Sequence, residues 1–207
     1  MKRYLFQGDS ITDAGRSTTA DAIMGYGYAT MTAGKISNDY PGQYEFLNRG
    51  ISGNKSTDLY ARIKRDIINL KPDIMSILIG VNDVWHDLDF DDGVTPEKFE
   101  TIYDTLLCET KAALPSIKII MLEPFVLNGT GTASYYEKFR DEVRIRAEIA
   151  KKLAQKHGIP FVPLQDKITK MAEQTSSAYV LLDGVHPTFA GHELISRELY
   201  QAFRENV

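Results

Sequence analysis

Short apolar runs alternate with amphipathic stretches along the whole chain. Runs typical of buried strands lie at Arg3–Phe6, Tyr44–Asn48, Asp73–Ile79, Ile117–Leu122 and Pro160–Pro163. Helical patterns occupy the intervals and the end of the chain, at Tyr26–Ser37, Thr57–Leu70, Pro96–Leu114, Ala133–His157 and Thr188–Phe203. This alternation is typical of a parallel sheet covered by helices. We therefore predict an α/β fold in which five mainly parallel strands form a doubly wound sheet with helices on both faces.

Local signals support several of the predicted helix ends. The second helix ends before Lys71-Pro72, because proline disfavours a helical conformation in the residue before it. Thr95 and Pro96 are suited to the cap and the first position of the third helix, and Gly158 to the end of the fourth. Within the third helix, the pattern places Cys108 on the buried side.

The size and composition predict one domain over residues 1–207. A chain of 207 residues with 43% hydrophobic residues can bury a sizeable core without a disulfide or a structural metal. The single cysteine excludes an intrachain disulfide and a cysteine-based zinc cluster. The acidic run Asp87–Gly93 lacks the glycine and the glutamate of a calcium loop, so we predict a solvated loop there and no metal.

The charge balance and the longest apolar run bear on partners and location. Asp plus Glu (28) outnumber Lys plus Arg (24), which argues against nucleic acid as a partner. The run Ile74–Val81 is too short to span a membrane, and the apolar start of the chain is too short for a signal-peptide core. These features predict a cytoplasmic protein with a small-molecule substrate. They leave open whether the protein forms a homo-oligomer.

Small and polar residues follow the predicted strands. Gly8-Asp9-Ser10 comes after the first strand, the segment Asn48–Gly53 after the second, and Gly80-Val81-Asn82-Asp83 after the third. A late loop carries Asp183-Gly184-Val185-His186. Ligands of doubly wound sheets bind at the carboxyl ends of the strands. These residues therefore form a candidate site for acyl transfer.

Each part of an acyl-transfer mechanism has a candidate among these residues. Ser10 is the candidate nucleophile, and His186 the base that a serine hydroxyl requires at neutral pH. Asp183, three residues earlier, can orient the imidazole from the same loop. The oxyanion requires fixed donors, for which the backbone N–H groups of Ser10 and Gly53 and the amide of Asn82 are candidates.

The remaining polar and aromatic candidates have alternative roles. Trp85 and Tyr28 lie near predicted strand ends, where an aromatic face could bind a sugar or merely cover the core. We assign Asp9, beside the nucleophile, and His86 to substrate binding as well, although His86 fits a solvated loop equally well. Asp13 fits a hydrogen bond within the nucleophile turn or a cap. Of the other histidines, we expect His157 at a helix end and His192 within the last helix to be structural.

These motifs resemble the four sequence blocks of the SGNH hydrolases, also called the GDSL esterase/lipase family. The matching blocks are Gly8-Asp9-Ser10, Gly53, Gly80-Val81-Asn82-Asp83 and Asp183-Gly184-Val185-His186, in the order of the family. Ile11 stands where the family name expects leucine. The longer strings Gly8–Asp13, Ile79–Trp85 and His186–His192 are most similar to acetylxylan esterases and related carbohydrate deacetylases. The resemblance implies a three-layer flavodoxin-like sheet, a Ser-His-Asp triad, no cofactor and ester hydrolysis.

Three functions remain open at this point. The first is a serine esterase that removes acetyl groups from acetylated sugars or xylo-oligosaccharides. The second is a lysophospholipase or thioesterase that acts on longer acyl chains by the same chemistry. The third is a binding module without catalysis, which would hold a phosphate or a carbohydrate at the Gly8–Asp13 turn.

Overall fold

A central parallel sheet organises the chain, for which a computed structural model describes residues 1–207. The strands are β1 (Lys2–Gly8), β2 (Tyr44–Asn48), β3 (Ile74–Leu78), β4 (Lys118–Leu122) and β5 (Phe161–Val162). Their order across the sheet is β2-β1-β3-β4-β5, and every neighbouring pair is parallel. This order is that of flavodoxin-like sheets. The predicted fold class is confirmed, and the strands lie where the apolar runs placed them.

Ten α-helices accompany the sheet. They are α1 (Ser10–Asp13), α2 (Tyr28–Asp39), α3 (Ser56–Ala61), α4 (Ile63–Asp66), α5 (Val81–Phe90), α6 (Pro96–Ala113), α7 (Tyr136–His157), α8 (Gln165–Gln174), α9 (Ser177–Val180) and α10 (Phe189–Asn206). Short 3₁₀ turns at Ile68–Leu70 and Ala133–Tyr135 complete the set. None of the helices has the length and apolar character needed to cross a membrane.

The two faces of the sheet bury separate apolar clusters. In β1, Tyr4 and Phe6 contact the cluster formed with α2 and α10, whereas Leu5 contacts the cluster formed with α3, α4 and α6. Helix α7 contributes to both, through Phe139 on one side and Leu153 on the other. Since successive side chains of a strand point to opposite faces, this alternation produces the three-layer arrangement.

Two helical segments differ from the sequence prediction. The predicted helix Thr57–Leu70 is broken, because Arg62 (φ −108°, ψ 13°) and Ile67 (φ −132°, ψ −70°) leave helical geometry. The segment after β3 is helix α5 rather than a loop that carries Trp85 and His86. Its apolar residues do recur with helical spacing, but the acidic residues from Asp87 onward obscured that pattern.

Helices α8 and α9 were not predicted. At the start of α8, the backbone N–H groups of Leu164 and Gln165 donate to one carboxylate oxygen of Glu123, at 2.6 and 2.8 Å. Only Ile168 of this helix is buried. A tertiary contact from the end of β4 therefore stabilises α8. The sequence around α8 itself gives little indication of this contact.

The prediction that Cys108 is buried was wrong, because its side chain is exposed on the outer side of α6.

One turn before Cys108, Asp104 accepts a hydrogen bond from His157 at 2.6 Å and pairs with Lys156 at 2.7 Å. His157 thus joins the end of α7 to α6, which is the structural role that its position predicted.

Candidate active site

Ser10 lies in a tight turn directly after β1. Asp9 caps the four-residue helix α1, because its Oδ1 accepts the N–H of Ile11 at 2.9 Å. Ala14 ends the helix in the left-handed conformation, with φ at 42°. The turn places Ser10 at the first helical position at the carboxyl edge of the sheet, where its backbone N–H is free of the helix's own hydrogen bonds.

The structure brings Ser10, His186 and Asp183 into one hydrogen-bonded chain. Oγ of Ser10 lies 2.9 Å from Nε2 of His186, and Nδ1 of His186 lies 2.7 Å from Oδ2 of Asp183. Ser10 and the loop that carries Asp183 and His186 are 173 residues or more apart in sequence, and the fold brings them together. The arrangement can move a proton from the hydroxyl to the imidazole.

The loop that carries Asp183 and His186 is held in place by backbone contacts. Oδ1 of Asp183 accepts the N–H groups of Val185 at 2.9 Å and His186 at 2.8 Å. Gly184 has φ at +103°, and a Cβ there would lie 2.5 Å from the carbonyl oxygen of Leu127. This position requires glycine for its conformation and for the available space.

These contacts set the charge state of the pair. Burial alone would raise the pKa of Asp183, but the hydrogen bonds from His186 and from the two backbone N–H groups outweigh it and lower the pKa to about 2. The hydrogen bond to Asp183 raises the pKa of His186, and partial burial opposes the rise. The aspartate is therefore ionised at neutral pH, and it stabilises the imidazolium form.

The predicted oxyanion donors lie on segments that contact each other. Gly53 has φ at +80°, a conformation that favours glycine. Asn82, at the start of α5, donates through Nδ2 to the carbonyl oxygen of Asn54 at 3.1 Å. Next to it, the carboxylate of Asp83 accepts the N–H of Ser56 at 3.0 Å. One N–H of the Asn82 amide is thus used to fix its orientation, and the other remains available for a ligand.

The structure corrects two of the four substrate-binding candidates. Tyr28 is fully buried, and its hydroxyl lies 2.9 Å from Oγ1 of Thr12, so it belongs to the core rather than to the cleft. Asp9 is also fully buried, and its side chain caps the start of α1. Burial raises the pKa of Asp9 to about 7, and the nearby His186 acts in the opposite direction. Neither side chain can contact a substrate.

Trp85 and His86 do border the site, on α5. The ring centroids of Trp85 and His186 are 5.7 Å apart, and Nε1 of Trp85 donates to the hydroxyl of Tyr135 at 2.9 Å. A Cβ at Gly53 would lie 3.9 Å from Cε1 of His86. Both side chains are half-buried. The helix, which the sequence analysis did not predict, therefore delivers two side chains to the edge of the site.

Two further polar residues stabilise the site from within. Asp13 accepts the N–H of Ser52 at 3.2 Å and its hydroxyl at 3.0 Å, so it connects the nucleophile turn to the loop of Gly53. His192 accepts the N–H of Tyr28 at 3.2 Å, and burial lowers its pKa to about 4. His192 is thus a neutral scaffold residue, as its position within the last helix predicted.

A small open cavity of about 300 Å³ leads to Ser10 and His186. Its rim includes Tyr26 and Leu182, which are 58% and 62% exposed. Phe189 contacts Tyr26 with ring centroids 6.2 Å apart and is 72% exposed. Nothing in the local sequence pattern pointed to Leu182 or Phe189 as part of this rim.

Comparison with known proteins shows similarity over most of the chain. Residues 6–194 match the model of the GDSL-like lipase/acylhydrolase family. An acetylxylan esterase from Geobacillus stearothermophilus is 34% identical over 206 residues, which cover 95% of this chain and 91% of that protein. A solved structure described as a GDSL-like lipase, from Parabacteroides merdae, has a TM-score of 0.92 at 36% identity and covers 97% of this chain and 94% of its own.

Structures of an acetylxylan esterase from Geobacillus stearothermophilus are also similar. The TM-score is 0.87 at 32% identity, with 97% of this chain and 93% of that chain covered. Variants of that esterase in which a serine or an aspartate is replaced by alanine are described as catalytic mutants. The chain described here therefore belongs to the GDSL-like lipase/acylhydrolase family, and as a member it is a carboxylic ester hydrolase.

Proposed function

We propose that this protein removes short acyl groups, above all acetyl, from acetylated sugars or xylo-oligosaccharides by a Ser-His-Asp mechanism. The observation that carries the proposal is the chain from Ser10 to His186 to Asp183, with contacts of 2.9 and 2.7 Å. A module that only binds carbohydrate or phosphate has no use for an imidazole held against a serine hydroxyl. The similarity to acetylxylan esterases supports the acetyl preference.

In the proposed mechanism, Oγ of Ser10 attacks the ester carbonyl carbon while its proton moves to Nε2 of His186. The backbone N–H groups of Ser10 and Gly53 and the amide of Asn82 stabilise the negative charge on the carbonyl oxygen. When the tetrahedral intermediate collapses, the C–O bond to the alcohol breaks and His186 donates the proton to the leaving oxygen. Water, deprotonated by His186, then hydrolyses the acyl-serine, and the proton returns to Oγ of Ser10.

The shape of the cleft supports a short acyl group. The cavity at Ser10 holds about 300 Å³ and is open, without a long apolar groove among its lining residues. Trp85 lies beside His186, with the ring centroids 5.7 Å apart, and its hydrogen bond to Tyr135 fixes the indole there. Tyr135 in turn donates to Asp89 at 2.7 Å. A longer acyl chain would have to displace this hydrogen-bonded group.

The exposed rim supports a carbohydrate as the alcohol part of the ester. Tyr26, Leu182 and Phe189 present apolar surface beside the nucleophile, and Tyr26 packs between Phe189 and His192 at centroid distances of 6.2 and 6.1 Å. Aromatic side chains with an apolar face and a polar end suit the apolar faces of sugar rings. The rim therefore offers a surface on which a xylose unit could lie while its acetyl group reaches Ser10.

The acyl-chain profile tests the proposal directly. We expect hydrolysis of 4-nitrophenyl acetate and release of acetate from acetylated xylo-oligosaccharides, with kcat/KM falling from butanoyl to octanoyl esters. A long acyl groove would instead gain roughly 0.8 kcal/mol, or about fourfold in kcat/KM, for each buried methylene. A steep rise towards octanoyl would therefore favour the lysophospholipase or thioesterase alternative. If no ester is turned over and a serine-directed organophosphonate leaves Ser10 unlabelled, the binding module gains support.

The variant Tyr26→Ala tests the sugar-binding rim. Loss of the ring removes apolar contact worth on the order of 1 kcal/mol, so we expect KM for acetylated xylo-oligosaccharides to rise about fivefold. Ethyl acetate, which is too small to reach the rim, should be hydrolysed at the wild-type rate. The matched control is Tyr60→Ala. Tyr60 lies in the helical layer on the other face of the sheet, where its hydroxyl donates to Glu109. Equal losses with both substrates would contradict a role in carbohydrate binding.

The pH profile reports the state of His186. The base must be neutral, and its pKa is raised above the ordinary value of 6.5 by Asp183. We therefore expect kcat/KM to fall with decreasing pH, with a midpoint above 6.5. Asp9 also raises the pKa of His186, so Asp9→Asn should move this limb to lower pH. A wild-type midpoint at or below pH 6.5 would show that another group controls the profile.

A further inference from the structure

A buried arginine lies beneath the site and has no part in the mechanism above. Arg62 occupies the break between α3 and α4, and only 7% of it is exposed. No motif of the sequence singled it out. A charged group at this depth is costly unless every part of it is paired, so its hydrogen bonds define what it does.

The guanidinium of Arg62 contacts three segments that end at the site. Its Nε donates to Oδ1 of Asn54 at 2.8 Å, one terminal nitrogen donates to the carbonyl oxygen of Arg49 at 2.8 Å, and the other to that of Gly8 at 3.1 Å. Asp66, 3.1 Å away, accepts a fourth hydrogen bond and balances the charge. One planar group therefore joins the ends of β1 and β2 to the loop that contains Gly53.

Two of these acceptors lie within two residues of a predicted oxyanion donor. Gly8 precedes Ser10 by two residues, and Asn54 directly follows Gly53. Asn54 also uses its backbone oxygen to accept the amide of Asn82 at 3.1 Å. The side chain of Asn54 is thus held by Arg62 while its backbone orients Asn82. Counted from residue to residue, all three donors are connected to the same guanidinium through two or three covalent or hydrogen-bonded steps.

We propose that Arg62 is a positioning residue that fixes the three oxyanion donors relative to one another. This inference rests on the proposed function, because it assigns Arg62 a task in the same hydrolysis. Arg62 is too deep to touch a substrate, and it acts through Asn54 and the two strand-end carbonyls. Five donors in one rigid plane allow it to bind acceptors from three segments at once, whereas the single ammonium of lysine cannot reproduce that geometry.

The test compares Arg62→Lys with Arg146→Lys. Arg146 is another buried arginine, 3% exposed, and its partners are Glu142 and the carbonyl oxygen of Val94, outside the strand-end loops. Both variants keep the charge and lose the planar group. Measurements on each are the thermal midpoint, kcat and KM for 4-nitrophenyl acetate, the pH profile, and the rate at which an organophosphonate labels Ser10.

A misaligned oxyanion hole reduces the stabilisation of the transition state more than it reduces substrate binding. For Arg62→Lys we expect kcat to fall about 100-fold, with KM within about threefold of the wild type. The midpoint of the acid limb should not move, because the pair of His186 and Asp183 is untouched. Arg146→Lys should lose thermal stability to a similar extent but keep kcat within about twofold.

Three results would overturn the inference. One is a folded Arg62→Lys variant with kcat and labelling rate within about threefold of the wild type. Another is an equal loss of kcat in Arg146→Lys, which would reveal a general effect of instability. If Arg62→Lys does not fold, the Asn54→Ala variant provides the test. It removes the side-chain oxygen that accepts the hydrogen bond from Nε of Arg62, and it leaves the backbone oxygen of Asn54 in place. We expect it to lose about tenfold in kcat, and an unchanged kcat would contradict the inference.

The same assays separate this inference from the proposed function. A wild-type protein that hydrolyses no ester would refute the proposed function. A wild-type protein that is active, with an equally active Arg62→Lys variant, would refute only the role of Arg62.

Discussion

Replacement of Ser10 by alanine is expected to reduce kcat for 4-nitrophenyl acetate by at least about a thousandfold. In the proposed mechanism the hydroxyl oxygen forms the acyl-enzyme, so its loss leaves only the oxyanion donors and His186 to act on bound substrate. The free energy of unfolding should change little, because Ser10 Oγ contacts only His186. Steady-state kinetics and a thermal unfolding curve on the same preparation measure both quantities.

The control is Ser116→Ala, an exposed serine after α6. It should keep wild-type turnover, and the organophosphonate should label this variant at Ser10 and leave Ser10→Ala unlabelled. A Ser10→Ala protein that retains more than about a thousandth of the turnover would show that Ser10 is not the nucleophile.

Replacement of Asn82 by alanine is expected to lower kcat by about 100- to 1000-fold while KM changes little. In the proposed mechanism the Asn82 amide stabilises the transition state, in which the carbonyl oxygen carries charge, far more than it stabilises the neutral ester. Its orientation is fixed in advance by the hydrogen bond to the backbone of Asn54. The loss corresponds to about 2.7 to 4 kcal/mol of transition-state stabilisation.

Asn82→Asp sharpens this test, because the carboxylate has a similar shape but repels the developing charge. We expect it to be at least as slow as Asn82→Ala at pH 8. The control is Asn38→Ala on α2, where the side chain contacts only Asp39. A rise in KM without a fall in kcat would assign Asn82 to substrate binding and leave the oxyanion to the two backbone donors.

The strands and the residues at their ends could be predicted because their signals are local. A buried parallel strand is an apolar run, and β1 to β4 coincide with such runs to within one or two residues. Parallel strands end at one edge of the sheet, so Ser10 and Asn82 had to lie near each other once the fold was known. The spacing of Asp183 and His186 within one loop made their contact predictable as well.

Other features depend on contacts between distant segments and left no local signal. Asp9 and Tyr28 are polar side chains near the nucleophile, and sequence alone could not show that both are buried. The backbone N–H groups at the start of helix α8 donate to the carboxylate of Glu123, which directly follows β4. The break at Arg62 interrupts a pattern that reads as one continuous helix from Thr57 to Leu70.

The sequence by itself determined the layered fold and the identity of the three residues that form the proposed triad, because hydrophobic periodicity and short motifs are properties of neighbouring positions. Only the tertiary structure decided which side chains reach the cleft and what holds the oxyanion donors in place. Apart from Asp66 in α4, the guanidinium of Arg62 binds acceptors that lie 8 to 54 residues away in the chain. Hydrogen bonds between segments so far apart exist only after the sheet has brought the strand ends together, so no local pattern can encode them.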